Sequence, residues 1–158
     1  MGLSRDQVKD LQIAGVLHDI GKVCIRDQIL LKPSHLTPAE WTEVKRHPSM
    51  AVEIIRYLDC FKGLTSIIEG HHEWYDGTGY PNKLRGEGIP LGARILAVAD
   101  AYDAMTSPRS YRPPLTHERA LQTLKEGAGV QWDPEVVNAF ATVLEQEAKL
   151  LETMLVEA

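Results

Sequence analysis

The sequence is poor in cysteine and has no long apolar run. Its two cysteines, Cys24 and Cys60, are too few for a disulfide framework. Both stand among apolar neighbours, so we expect them to be reduced and packed in the core. No apolar stretch approaches the roughly 18 residues that a membrane span needs. Charged residues at positions 5–10 argue against a signal peptide, and we therefore expect a cytoplasmic setting.

The sequence also lacks an excess of positive charge. It has 17 Lys and Arg residues against 22 Asp and Glu residues, a formal net charge of -5. This balance argues against a general DNA- or RNA-binding protein, and no membrane partner is expected. An anionic substrate would have to be attracted by local cations. The length of 158 residues and the hydrophobic fraction of 44% are typical of one globular domain with its own core.

Strand-like alternation of apolar and polar residues is absent from the sequence, and helical spacing recurs instead. Ser4 and Thr37 each stand three residues before a Gln or Glu, which is the spacing of a capping box. We expect Gly21 to end the first helix in the left-handed conformation. The sequence predicts an all-α fold with helices over residues 5–18, 37–47, 48–58, 64–73, 91–106, 116–125 and from 133 onwards.

Two further segments deviate from an ordinary helical domain. Residues 74–90 form a glycine- and proline-rich loop, and its length favours a functional role. The helix at 91–106 is apolar nearly all round, which predicts that it is central and buried. Asp100 interrupts it, and a buried carboxylate is costly unless it is paired or bound to a metal.

Histidine and aspartate residues are the candidate metal ligands. Imidazole and carboxylate together suit iron, manganese, zinc or related ions, and the absence of cysteine from the set argues against a structural zinc site. Neighbouring residues on a helix project about 100° apart, so adjacent pairs suit two ions side by side better than one. The candidates are His18, Asp19, His47, His71, His72 and Asp100.

Three stretches resemble the HD-GYP family: HDIGK at 18–22, HHEWYDGTGYP at 71–81 and ARILAVADAYDA at 93–104. This family is the branch of the HD metal-dependent phosphohydrolases that degrades cyclic di-GMP. The resemblance implies a helical HD-domain core with extra C-terminal helices. We interpret residues 1–140 as the HD-GYP domain and residues 141–158 as a C-terminal helix extension.

The resemblance also implies a role for individual residues. All six candidate ligands fall on metal-ligand positions for two or three divalent ions, with iron and manganese preferred. Asp19 falls on the bridging carboxylate, and Lys22 falls on the lysine that contacts the metal-bound phosphate region, so these two are the implied catalytic residues. The implied substrate contacts are Lys22, Asp76, Gly79, Tyr80, Pro81, Arg109 and Arg112.

Simpler roles are open for several of these residues. Lys22 could be a solvated charge at a helix end, where the helix dipole favours it. Asp76 could cap its turn without touching a ligand, and Arg109 and Arg112 could pair with nearby acidic residues. We expect Glu73 to lie at the surface or behind the metal ligands.

The activity implied by the resemblance is hydrolysis of cyclic di-GMP to linear pGpG, and to GMP after a second cut, by attack of a metal-bridging hydroxide. Trp74, Tyr75 or Tyr80 could stack on guanine. Two alternatives stay open. One is an HD phosphohydrolase for another nucleotide. The other is a catalytically incomplete module that binds cyclic di-GMP or a protein partner such as a diguanylate cyclase.

The N-terminus departs from the family pattern. In the family a further helix precedes the one predicted at 5–18, and it supplies a histidine, in some members with a glutamate, to the same centre. We therefore interpret the domain as N-terminally truncated, lacking the first helix of the family, and this truncated chain could be inactive. Uncovered apolar surface would favour a homodimer unless the last helix covers it.

Overall fold

The computed structural model describes residues 1–108 and 113–156. Within these ranges the regular structure is helical and no β-strand occurs, so the predicted all-α fold is confirmed. Short 3₁₀ turns cover Ile20–Cys24, Asp59–Leu64 and Gly86–Gly88. The α-helices are α1 (Arg5–Leu17), α2 (Asp27–Leu30), α3 (Pro38–Val44), α4 (His47–Ile55), α5 (Thr65–Gly70), α6 (Leu91–Thr106), α7 (His117–Glu126) and α8 (Pro134–Val156).

Local sequence signals fix where several helices begin. Ser4 and Thr37 each begin a helix through the reciprocal hydrogen bonds of a capping box, as predicted. Pro38 occupies the first turn of α3, where its missing N–H costs nothing. The boundary predicted at His47 is also confirmed, because α3 ends at Val44 and α4 begins at His47.

The core consists of two apolar clusters that meet at α6. The first cluster contains side chains from α1, α4 and α5, and the second contains side chains from α7 and α8. Helix α6 contributes Leu96 to the first cluster and Val98 and Met105 to the second. It is therefore the central helix that the sequence predicted, and it holds Asp100 between the two halves of the core.

Gly21 is not left-handed, and the prediction that it ends α1 in that conformation was wrong. It lies in the 3₁₀ turn Ile20–Cys24, which packs against the start of α4. A Cβ atom at this position would lie 2.0 Å from the carbonyl oxygen of His47. Glycine is needed here because two segments of backbone approach each other closely, and this approach brings the turn after α1 next to His47.

Other boundaries and exposures differ from the predictions. The helix before the paired histidines ends at Gly70, so both imidazoles lie just beyond it. Helix α4 ends at Ile55, and the following Tyr57 is exposed. Cys24 and Cys60 are also exposed, so their predicted packing was wrong; both lie in short 3₁₀ turns, which cover few of their own side chains.

Helix α8 is continuous through the boundary predicted at residue 140. Val136 and Val137 are buried against α6 and α7, whereas Val143 and Met154 are 50% and 61% exposed. The last helix is therefore buried in its first turns and exposed at these later positions. None of the helices in the described part of the chain has the length and apolarity needed to cross a membrane.

Candidate metal centre

The fold brings the predicted metal ligands together where α1, α4, α5 and α6 meet. His18 Nε2 lies 3.7 Å from Asp100 Oδ1 and 3.5 Å from Asp19 Oδ2. His47 Nε2 lies 3.3 Å from Asp19 Oδ1. Asp100 is thus placed beside His18 although it is distant in sequence, because α6 crosses the end of α1.

The paired histidines complete this cluster. The ring centroids of His71 and His72 are 4.0 Å apart, and the His71 centroid lies 5.0 Å from that of His18. In two subsets, all candidate ligand atoms lie within 4.8 Å of one another: His47, His71 and His72 in one, and His18, Asp19 and His71 in the other. The two subsets share His71 and together contain five of the six candidate ligands.

Backbone carbonyls orient three of the four imidazoles. Each carbonyl lies three residues earlier in the chain, in the final turn of the preceding helix. Because a carbonyl oxygen only accepts, each Nδ1 carries the proton, and the lone pair of each neutral ring is on Nε2. The bonds are His18 Nδ1 to Gly15 O at 2.8 Å, His47 Nδ1 to Val44 O at 2.8 Å, and His71 Nδ1 to Ile68 O at 2.6 Å.

The Nε2 atoms of His47 and His71 are buried and have no hydrogen-bond partner in the described structure. An unsatisfied buried polar group costs about 1–3 kcal/mol. An oxygen of Asp19 lies 3.3 Å from His47 Nε2, and because both atoms are acceptors this approach is unfavourable without a cation between them. Imidazole nitrogens and carboxylate oxygens arranged in this way fit divalent transition-metal ions.

The electrostatics of the cluster favour the ligand forms of these side chains. Burial alone would raise the pKa of Asp19, but the neighbouring His47 and Lys22 lower it well below its usual value. The neighbouring His18 lowers the pKa of Asp100. Burial lowers the pKa of His71 to about 4. At neutral pH both carboxylates are therefore ionised and His71 is neutral, which are the forms that bind metal.

The glycine-rich loop folds back over the paired histidines. The backbone N–H of Tyr80 donates to His72 O at 3.2 Å, and the Tyr80 ring stacks on the His72 imidazole at a centroid distance of 4.9 Å. A Cβ atom at Gly79 would lie 2.1 Å from the backbone nitrogen of Trp74, so only glycine permits this return. The cis peptide bond to Pro81 follows directly. The predicted substrate-contact residues 79–81 thus lie against the metal cluster.

Glu73 holds the far end of this loop, a role that the sequence did not reveal. Its side chain is only 3% exposed. Oε1 accepts from Asn82 N at 2.6 Å and Oε2 accepts from Leu84 N at 3.1 Å. The surface location allowed for Glu73 was wrong, because two backbone donors make burial of the carboxylate tolerable. Its position directly after His72 was the available signal.

The remaining predicted substrate contacts have different surroundings. Asp76 Oδ1 accepts from Thr78 N at 2.8 Å and from Thr78 Oγ1 at 2.7 Å, so this carboxylate caps the turn, and its substrate contact stays a prediction. Lys22 Nζ lies 2.5 Å from Asp19 Oδ2, which places the ammonium at the cluster. Arg109 and Arg112 lie outside the described residues, so their predicted phosphate contacts also stay predictions.

A groove of about 710 Å³ adjoins the cluster. Small-molecule sites commonly have volumes of about 300–1,000 Å³. One wall contains Trp41 of α3 and Lys45, which caps the end of that helix, and the other is the loop, which contributes Trp74 and Tyr80. His72 lines the groove and is also a member of the metal cluster. A ligand in the groove could therefore place one of its groups at the cluster.

Comparisons with known proteins agree with this architecture. The HD domain family model matches residues 1–136. A cyclic di-GMP phosphodiesterase of Vibrio cholerae serotype O1 is 44% identical in an alignment of 137 residues that covers 82% of this chain and 28% of that protein. The 3′3′-cGAMP-specific phosphodiesterase 2 of the same organism is 39% identical in an alignment of 141 residues that covers 86% of this chain and 26% of that protein.

A solved structure shares the fold. The crystal structure of a cyclic GMP-AMP-specific phosphodiesterase of V. cholerae matches 90% of this chain and 39% of its own chain, with a TM-score of 0.69 and 22% identity. The chain spans less than a third of the length of the two curated relatives. The family match includes all six residues of the metal cluster. The chain belongs to the HD domain family, and within it to the HD-GYP branch.

Proposed function

We propose that this chain is a metal-dependent phosphodiesterase for a cyclic dinucleotide, with cyclic di-GMP as its substrate. The observation that carries the proposal is the pair of buried, unpartnered Nε2 atoms of His47 and His71, which lie close to Asp19 in a cluster that adjoins an aromatic groove through His72. The name of the relative that is 44% identical supports this choice of substrate.

The metal cluster would hold two divalent ions, or three, and iron and manganese are the metals we propose. Such ions, when bound, lower the pKa of water and offset the negative charge that develops on the phosphate. The proposed ligands offer four imidazole nitrogens and two carboxylates, which is a donor set that these metals accept. The ligands are His18, Asp19, His47, His71, His72 and Asp100.

Asp19 is the proposed bridging carboxylate. Its Oδ1 faces His47 at 3.3 Å, whereas its Oδ2 faces His18 at 3.5 Å. One carboxylate thus spans the two halves of the cluster, and its lowered pKa keeps it ionised. Lys22 bonds to Oδ2 and is 42% exposed, so its ammonium can also reach a phosphate oxygen and stabilise the charge that develops during hydrolysis.

The loop would position the substrate beside these groups. Tyr80 stacks on His72 and also lines the groove, and Gly79 allows the backbone to lie close to the ligands. Water would attack phosphorus, the bond from phosphorus to the 3′ oxygen would break, and that oxygen would take a proton. Cutting one phosphodiester bond of cyclic di-GMP gives linear pGpG, and a second cut gives GMP.

A second candidate substrate has specific support. The relative that is 39% identical is named a 3′3′-cGAMP-specific phosphodiesterase. Cyclic GMP-AMP differs from cyclic di-GMP in one purine, and both offer the same two phosphodiester bonds to the metal cluster. The choice between them therefore depends on groups that contact the bases in the groove.

Turnover of a nucleotide panel by the purified chain tests the proposal. The protein supplied with Mn²⁺ or Fe²⁺ should convert cyclic di-GMP to pGpG, as followed by chromatography. Asp19→Ala should lose turnover and metal content together, whereas Asp27→Ala, at an exposed position on α2, should lose neither. Full turnover by Asp19→Ala would contradict the mechanism. Faster turnover of 3′3′-cGAMP would change the substrate and keep the reaction class.

A further inference from the structure

One face of α3 is directed at the groove. Trp41 and Lys45 are four residues apart, so they lie on the same side of the helix. Both line the groove together with Tyr80 of the opposite wall. Lys45 Nζ lies 5.4 Å from the centroid of the Tyr80 ring, which places a positive charge between the two walls.

This wall is held in place without a ligand. Glu40 belongs to the capping box at the start of α3 and also pairs with Lys32 Nζ at 2.6 Å. Glu43 accepts two hydrogen bonds from the guanidinium of Arg26, at 3.1 and 2.8 Å. These bonds fix α3 to the segment that precedes it. A ligand that binds in the groove would therefore lose little free energy in ordering this wall, and this favours a higher affinity.

The aromatic side chains of the groove remain open to a ligand. Trp41 is 48% exposed and Trp74 is 38% exposed, although both are large apolar residues. Trp41 lies on a fixed helix and faces Trp74 across the groove. Its exposed indole ring therefore offers a flat surface to a planar ligand. Bases stack on aromatic side chains in this way.

We propose that the groove seats one purine base of the cyclic dinucleotide, stacked on Trp41, while Lys45 contacts the adjoining phosphate. This inference rests on the proposed function and adds two residues of α3 to its substrate site. Lys45 lies over Tyr80, and Tyr80 stacks on His72 of the metal cluster. A phosphate at Lys45 would therefore be a short distance from the cluster, and the attached base would extend towards Trp41.

Variants of α3 test the proposal through ligand affinity. Trp41→Ala should raise the Kd for cyclic di-GMP roughly tenfold, whereas Trp41→Phe should stay within about threefold, because a phenyl ring still stacks. Lys45→Met should raise the Kd and weaken its dependence on salt. Tyr57→Ala and Lys62→Met are matched controls, since both residues are exposed and neither lines the groove. Calorimetry in EDTA gives Kd without turnover, and steady-state kinetics with metal gives KM.

The outcomes separate this inference from the proposed function. One outcome is that the metal-loaded wild type binds cyclic di-GMP in a way that depends on Trp41 and yet does not hydrolyse it. That result would support base binding in the groove and overturn the proposed phosphodiesterase activity. Turnover of cyclic di-GMP with the same Kd and KM in Trp41→Ala as in the wild type would overturn the groove alone. A wild type that neither binds nor hydrolyses cyclic di-GMP would overturn both. Thermal unfolding of each variant shows that the fold is intact.

Discussion

Replacement of Glu73 by glutamine would test whether one buried carboxylate holds the glycine-rich loop against the metal cluster. The wild-type carboxylate accepts from the backbone N–H groups of Asn82 and Leu84. A glutamine has the same shape, but one of its two terminal groups is an NH₂ donor. It can therefore keep one of the two hydrogen bonds, and the other backbone N–H then faces a donor.

The magnitude follows from these two bonds. A hydrogen bond to a charged group contributes about 1.5–3 kcal/mol. Glu73→Gln loses one such bond and turns the other into a neutral one, so the closed loop should be destabilised by about 2–4 kcal/mol. If the loop detaches locally, only part of this loss reaches the global free energy of unfolding, and the remainder appears as a larger population of open loop.

Hydrogen exchange measures the loop directly. The amide protons of Asn82 and Leu84 should exchange faster in Glu73→Gln, roughly 30-fold or more, because 2 kcal/mol corresponds to about that ratio. The KM for cyclic di-GMP should rise together with these exchange rates, since Tyr80 would no longer be held on His72. Glu87→Gln, an exposed glutamate of the same loop, should change neither quantity. Wild-type exchange rates in Glu73→Gln would refute the role of this carboxylate.

Three further perturbations have defined outcomes. Gly79→Ala places a Cβ atom 2.1 Å from Trp74 N, so it should weaken substrate binding and lower the free energy of unfolding by roughly 1–3 kcal/mol. A variant with wild-type KM and stability would contradict the close return of the loop to Trp74. Arg94 Nη1 pairs with the buried Asp133 Oδ2 at 2.5 Å. Asp133→Ala removes the carboxylate and leaves the guanidinium only its bond to Ile89 O, which should cost about 3–5 kcal/mol in denaturant unfolding. A neutral result would show that water reaches the guanidinium. Folding lowers the pKa of His71 from 6.5 to about 4. Between these two pH values the unfolded chain binds more protons than the folded chain, so the metal-free protein should lose stability as the pH falls from 6.5 to about 4. The raised pKa of His18 opposes this loss in part, and stability that rises on acidification through that range would contradict the burial of His71.

The helical fold and the six clustered residues could be predicted from the sequence because their signals are local. Ser4 and Thr37 form their capping boxes within four residues, and these bonds depend on no distant part of the chain. The candidate ligands were identified by side-chain chemistry and by motifs, and the structure places Asp100 beside His18 as the metal hypothesis requires.

Other features depend on contacts between distant segments and could not be read from the sequence. Gly21 is required by the close approach of the His47 carbonyl, whereas its sequence context indicates an ordinary helix end. Glu73 becomes a buried anchor only once the loop returns to it. Trp41 lines the groove because α3 lies opposite that loop. In each case the partner lies on a segment whose path is set by tertiary packing.

Metal content of the purified chain, measured by elemental analysis together with calorimetric titration of Mn²⁺, tests the central claim most directly. The wild type should bind about two ions per chain, the number for which paired ligand groups are suited. His71→Ala should bind fewer ions than the wild type, because it removes a ligand common to both groups of candidates, whereas His35→Ala should retain both ions. A wild type that binds no divalent ion, or a His71→Ala variant with the full metal content, would contradict the account.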